Sequence, residues 1–321
     1  MGQVLGGLLV NANLFGSQWR PVFLVNVPIG LAVLCLAPRV VPRDAPAGGR
    51  RLDLAGLAIA GPAVFAIALP LMLGHQEGWP AWILACIAAG IVLAAVFVLV
   101  ERRIAGRDGD PLLNLRVLRA PGLVSGLAAV AILMVSYGGF LFTLALQLQD
   151  GLGESALRAG LTFAPSALAF GLCGFYWGRL PARVHHLLTP AGCVVAMAAY
   201  AALGLDLASG SRGGPLLPVI LVVLGGSLAL AFSPLVTHAP RHVPVLEAAD
   251  ASGLFTTTVQ LGQAIGVAVF GSVFLALAAH PAPHASGHAL ATTLYWLAAL
   301  LAIATLAALP LARTTGKAPA V

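Results

Sequence analysis

Nine long apolar runs divide the 321-residue chain, at about 21–38, 54–74, 81–100, 121–147, 157–178, 187–207, 215–237, 251–279 and 289–312. Each holds roughly 18 residues or more, the length a helix needs to cross a hydrocarbon core of about 30 Å. Charged residues fall in the gaps between runs or at run edges. A helix satisfies its own backbone hydrogen bonds, so a chain that keeps formal charge out of nine helical lengths is built for lipid. The pattern predicts an all-α, polytopic membrane helix bundle of about nine complete transmembrane helices, with a half helix at the N-terminus.

Composition agrees: 9% of residues are charged, where a soluble domain carries about 25%. The net charge of +6 does not point to nucleic acid, because the cations are dispersed and form no basic patch. They follow alternate gaps instead. Only Arg20, Arg158 and Arg212 of the 17 cations fall in one set, and the other 14 fall in the second. The positive-inside rule then expects the second set, and the C-terminus, to be cytoplasmic in a multi-pass protein of the cell inner membrane. Trp19, Trp79, Trp82, Trp177 and Trp296 sit at or near run ends, as interfacial aromatics do. Cys35, Cys86, Cys173 and Cys193 lie within apolar runs with no C-x-x-C spacing, and read as small packing residues. The first residues lack the basic segment and cleavage site of a signal peptide.

Residues 1–10 are apolar and glycine-rich but too short to span, and they run into a polar stretch placed outside. They read as the outer half of a helix whose inner half would precede Met1. Gly2-Gln3-Val4-Leu5-Gly6-Gly7 resembles the end of the Gly-Pro-x-x-Gly-Gly motif of proton-driven antiporters in the major facilitator superfamily, with Gln3 in the proline position. Trp19-Arg20-Pro21-Val22-Phe23-Leu24-Val25-Asn26-Val27-Pro28-Ile29-Gly30 is similar to the start of the sixth helix in the fourteen-helix drug:proton antiporters. Leu52-Asp53-Leu54-Ala55-Gly56-Leu57 resembles the start of their seventh helix, and residues 253–274 their thirteenth. The resemblance spans essentially the whole chain and implies an N-terminally truncated member. Residues 1–38 would be the remnant of an N-terminal bundle, 39–120 an inserted helix pair with cytoplasmic loops, and 121–321 a six-helix C-terminal bundle. The loop Gly178-Arg179-Leu180-Pro181-Ala182-Arg183 aligns with the family's cytoplasmic G-x-L-x-D-R motif through Gly178, Leu180 and Arg183, but Ala182 replaces its aspartate.

Transport needs a polar path. Ser136, Phe140, Thr143 and Gln147 recur at helical spacing on one face, as do Thr162, Ser166 and Cys173, and Thr256, Gln260 and Gln263. Asn26, Ser136, Phe140, Thr143, Gln147, Thr162, Ser166, Thr256, Gln260 and Gln263 are the substrate-path candidates, and Gln147, Gln260 and Gln263 are expected to face the bundle interior. Hydrogen bonding between helices is the competing reading of the same residues. Gly262 and Gly266 form G-x-x-x-G, a close-packing motif, and the resemblance gives Gly2, Gly6 and Gly7 a hinge role near an outer gate. His280, His284 and His288 are spaced as helical metal ligands, but Pro281 and Pro283 break the helix, so no metal is expected. His238 and His242, flanking Arg241, read as solvated loop residues.

No Asp, Glu, Lys or Arg lies mid-span, so these residues show no proton-coupling group. The expected function is proton-coupled efflux of hydrophobic drugs or other small molecules by alternating access, incomplete as given. Its partners are the lipid bilayer, a small hydrophobic substrate and protons; no nucleic acid and no cofactor are called for. The alternative is a non-transporting half-bundle that acts as a membrane interaction partner, or an inactive gene fragment. An enzyme is not expected, since no helix carries a catalytic pair at helical spacing.

Overall fold

The computed structural model describes residues 2–12, 16, 19–40, 53–74, 77–106, 115–208, 214–280 and 284–315. Met1, Leu52, Pro281, Pro283, the loop cations Arg43, Arg50, Arg51, Arg107 and Arg212, and Lys317 lie outside the described residues, as does the side chain of Gln3. Every apolar run becomes helical, and no strand occurs among the described residues. Among the described residues eight helical segments are long and apolar enough to cross a membrane, and Gly56–Leu71 forms a shorter apolar stretch within a ninth. The protein is a multi-pass, all-α membrane bundle.

In chain order the helices are α1 (Gly2–Ala12), α2 (Arg20–Leu24), α3 (Asn26–Val40), α4 (Leu54–Leu73), α5 (Ala81–Ala105) and α6 (Leu123–Leu146). They continue with α7 (Ala156–Thr162), α8 (Ala164–Tyr176), α9 (His185–Ala208), α10 (Leu216–His238), α11 (Ala248–Ala278) and α12 (Ala285–Thr315). Two apolar runs are broken, and proline explains both. Pro28 has no N–H to give Leu24, and the chain turns at Val25 between α2 and α3. Pro165 likewise cannot donate to Leu161, and α7 ends one residue before α8 begins. Starts are capped where side chains allow. Asp53 Oδ1 accepts the Gly56 N–H at 2.8 Å to begin α4, and Ser155 Oγ accepts the Arg158 N–H at 3.3 Å to begin α7. Arg102 and Arg103 close α5, where cations suit the negative helix end.

Helices α6 to α12 surround one apolar core. In it α12 packs on α9 and α6, α11 on α6, and α10 on α8 and α9. Lipid offers apolar side chains no reason to associate, so close backbone approach has to supply the attraction. Glycines provide it. A Cβ on Gly138 would lie 2.6 Å from Gln263 O, one on Gly262 would lie 2.9 Å from the Met134 Cβ, and Gly266 meets the Val135 carbonyl directly. The α6–α11 seam is therefore small-on-small from both sides. Gly192 makes the same contact with Ser227 O at 2.6 Å, joining α9 to α10, while Gly225 lies against Ser166. Outside this core α4 pairs with α5 and touches α11, α1 rests on α7, and α3 has no buried residue.

Candidate functional site

The sequence candidates do not converge. Ser136, Phe140 and Thr143 share a face as expected, but that face is buried in the core. Ser136 Oγ donates to Tyr200 Oη at 3.4 Å, Phe140 packs 5.4 Å from the Tyr200 ring, and Thr143 Oγ1 donates to Gly139 O at 2.8 Å. These groups are satisfied inside the bundle, two of them against α9. Ser166 is buried beneath Gly225, and Thr162, beyond the α7–α8 break, donates to Arg158 O at 3.0 Å. Gln147 is buried at the far end of α6, whereas Gln263 is half-buried with Nε2 3.8 Å from Met134 Sδ. Gln260 departs from the interior expectation and lies exposed, as does Asn26 on α3. Spacing fixes which residues share a face; it does not say what that face meets.

One helix carries polar side chains on an open face. On α11, Ser252, Thr256, Thr257 and Gln260 are all exposed. Thr256 Oγ1 donates to Ser252 O at 3.0 Å, which satisfies that hydroxyl within the helix, but the Gln260 amide is too large to hide this way. Beside this face α10 and α11 enclose a cleft of about 570 Å³, lined by Phe232, Val236, Val243, Ser252, Phe255 and Thr256. An apolar wall with two hydroxyls is the composition of a small-molecule site.

A second cleft, of about 240 Å³, sits where α1 meets the bundle. Gly6 and Gly7 line it opposite Ala145, Gln149 and Phe163. A Cβ on Gly7 would lie 2.6 Å from Ala156 O, so this glycine sets the approach of α1 to α7. Gly6 has only the Val22 side chain nearby, at 3.9 Å, and Gly2 has nothing within 4 Å.

Three features escaped the sequence reading. First, Glu101 is buried, and its Oε1 and Asp53 Oδ2 would lie 2.5 and 2.6 Å from a Cβ on Gly56. Two carboxyls therefore meet at one end of the α4–α5 pair, a contact invisible at a separation of 48 residues along the chain (53 to 101). Second, His238 is half-buried, not a free loop side chain. It packs 5.6 Å edge-on to Trp177 and 5.9 Å from the His185 ring, and its buried Nε2 makes no hydrogen bond. The neighbouring loop is held by His185 Nε2 on Leu180 O at 2.9 Å and by Arg179 over the Tyr176 ring at 4.6 Å, while Gly178 and Arg183 stand exposed. Third, Gln147 begins a π-turn and carries an orphaned amide oxygen. Among the described residues no three His, Cys, Asp or Glu side chains gather as a metal site.

Known proteins are similar to this chain. The chain is 33% identical over 285 residues to a probable actinorhodin transporter of Streptomyces coelicolor, covering 86% of this chain and 48% of that one. It is 37% identical over 277 residues to the cephamycin export protein CmcT of Amycolatopsis lactamdurans, covering 84% and 54%. It is 32% identical over 289 residues to the multidrug resistance protein Stp of Mycobacterium tuberculosis, covering 88% and 51%. The chain thus spans about half the length of these relatives. The family profile of the Major Facilitator Superfamily matches residues 1–267, and the bundle, its small-residue seams and its relatives agree: the chain belongs to that superfamily.

Proposed function

We propose that this chain forms the C-terminal part of an efflux transporter of the fourteen-helix drug:proton antiporter type. Its cargo is a hydrophobic small molecule that passes α11 by alternating access in exchange for protons. In this reading residues 1–38 close an N-terminal bundle, 39–120 are the inserted helix pair, and 121–321 are the C-terminal bundle. The function is carriage without covalent chemistry.

The observation that carries the proposal is the exposed polar face of α11 beside its 570 Å³ cleft. A polar side chain at membrane depth has to meet water, another helix or cargo, because hydrocarbon offers no hydrogen bond. Thr256 and Gln260 stand there as path residues, while Ser136, Phe140 and Thr143 act as the packed wall behind them. The relatives named for the export of an antibiotic and for multidrug resistance support the same class of cargo.

The test is flux in proteoliposomes holding these 321 residues joined to the N-terminal bundle that the proposal places before them. Dye movement driven by a pH gradient, collapsed by a protonophore and reduced by Gln260→Leu, is expected. Dye movement indifferent to the gradient removes the proton step. No movement from correctly inserted protein favours the second reading, a half-bundle that docks on another membrane protein, to which the wholly unburied α3 lends its support.

A further inference from the structure

The π-turn at the end of α6 shapes a cleft that the transport reading does not use. Its volume is about 420 Å³, and it lies among the ends of α6, α9 and α11 and the start of α12. This is the membrane face away from the cation-rich loops. The Leu152 N–H donates to Gln147 O at 2.9 Å, the five-residue spacing of a π-turn, which inserts an extra residue and re-aims the side chains. Gln147 is only 3% exposed, lines the cleft, and its Oε1 accepts no hydrogen bond.

Gly151 makes room for a second oxygen. A Cβ there would lie 2.7 Å from Gln147 Oε1 and 2.9 Å from Ser286 Oγ, so both oxygens converge on one point. Ser286 is held in place by its neighbour: a Cβ on Gly287 would lie 2.7 Å from Leu207 O, pressing the first turn of α12 against the end of α9. Asp150 adds a carboxylate at the rim, and Leu152 and Leu207 add apolar wall. Among the described residues no Lys or Arg lines the cleft, and His284 belongs to its lining.

An amide oxygen, a hydroxyl and a carboxylate ask for a donor with positive charge. A buried acceptor left unmade is costly, so a ligand that donates to Gln147 Oε1 recovers that cost. The cleft falls within the range of small-molecule pockets, roughly 300–1,000 Å³, and a bare alkali ion would fill little of it. We propose that this cleft binds the ammonium group of a small organic amine, with Gln147 Oε1, Ser286 Oγ and the Asp150 carboxylate as acceptors. The site is separate from the α11 cleft and does not depend on the transport reading.

Calorimetric titration of the purified 321-residue chain in lipid nanodiscs with benzylammonium chloride tests it without any flux measurement. Saturable binding is expected. Benzyl alcohol, which has the same ring and no charge, should neither bind nor compete. Asp150→Asn and Gln147→Leu should each weaken binding at least about tenfold, the effect of losing a hydrogen bond to a charged group. Thr256→Ala, in the other cleft, should leave it unchanged. Asp150 is exposed, so its variant reports on the site even if the buried Gln147→Leu fails to fold. Absence of saturable binding, or full binding in the Asp150→Asn variant, overturns the proposal. Displacement of benzylammonium by an equal concentration of sodium chloride overturns it in favour of an alkali-cation site.

Discussion

Gly266 faces the Val135 carbonyl across the α6–α11 seam, and a Cβ there would also lie 2.8 Å from Gly139 N. Backbone cannot swing aside as a side-chain tip can. Gly266→Val is therefore expected to destabilise the bundle by about 1–3 kcal/mol, the cost of overpacking, seen as a lower Tm in detergent. Gly253 on the same helix has open space around it, and Gly253→Val should stay within about 0.5 kcal/mol of the parent. Ser136 and Tyr200 offer a second test. Their 3.4 Å hydrogen bond is buried, and such bonds between membrane helices average about 0.6 kcal/mol. Ser136→Ala combined with Tyr200→Phe should cost less than the sum of the two single changes; full additivity would show that the bond contributes nothing. The glycine motif of α11 was legible in the sequence because its period is local. The partner of Ser136 was not, since 64 residues separate it from Tyr200.

At the scale of elements, proline and polarity decide where each helix bends and which way it faces. The run predicted at 157–178 is two helices, because Pro165 leaves Leu161 O without its usual donor. Pro165→Ala restores that donor, and amide exchange across residues 161–167 is expected to slow; unchanged exchange would place the cause of the break elsewhere. The face of α11 gives the sharper test. Gln260 and Leu306 are both exposed, Leu306 at 65%, yet one is polar and the other suits lipid. With the four native cysteines replaced, Gln260→Cys should react with a membrane-impermeant thiol reagent and Leu306→Cys should not. Equal labelling would mean that the α11 face carries no water path. The helical period displayed Thr256, Gln260 and Gln263 as one set, but only neighbouring helices separate the exposed Gln260 from the half-buried Gln263.

For the whole molecule, charge sets the expected orientation. With 14 of 17 cations in one alternating set of loops, a green fluorescent reporter fused after Val321 should fluoresce, and alkaline phosphatase inserted at residues 209–213 should be active. The reverse pattern would invert the topology and place the amine cleft on the cytoplasmic side. Sequence alone set the membrane class, the place of every apolar run and the superfamily, because length, hydropathy and small-residue spacing are properties of contiguous segments; the breaks at Val25 and Phe163 came only with the fold. The tertiary structure alone decided that Ser136, Phe140 and Thr143 are core, that Gln260 is open, that Asp53 meets Glu101, and that Gln147 and Ser286 converge. Those are contacts between segments far apart in the chain, and hydrophobic periodicity within one helix carries no information about what the next helix brings against it.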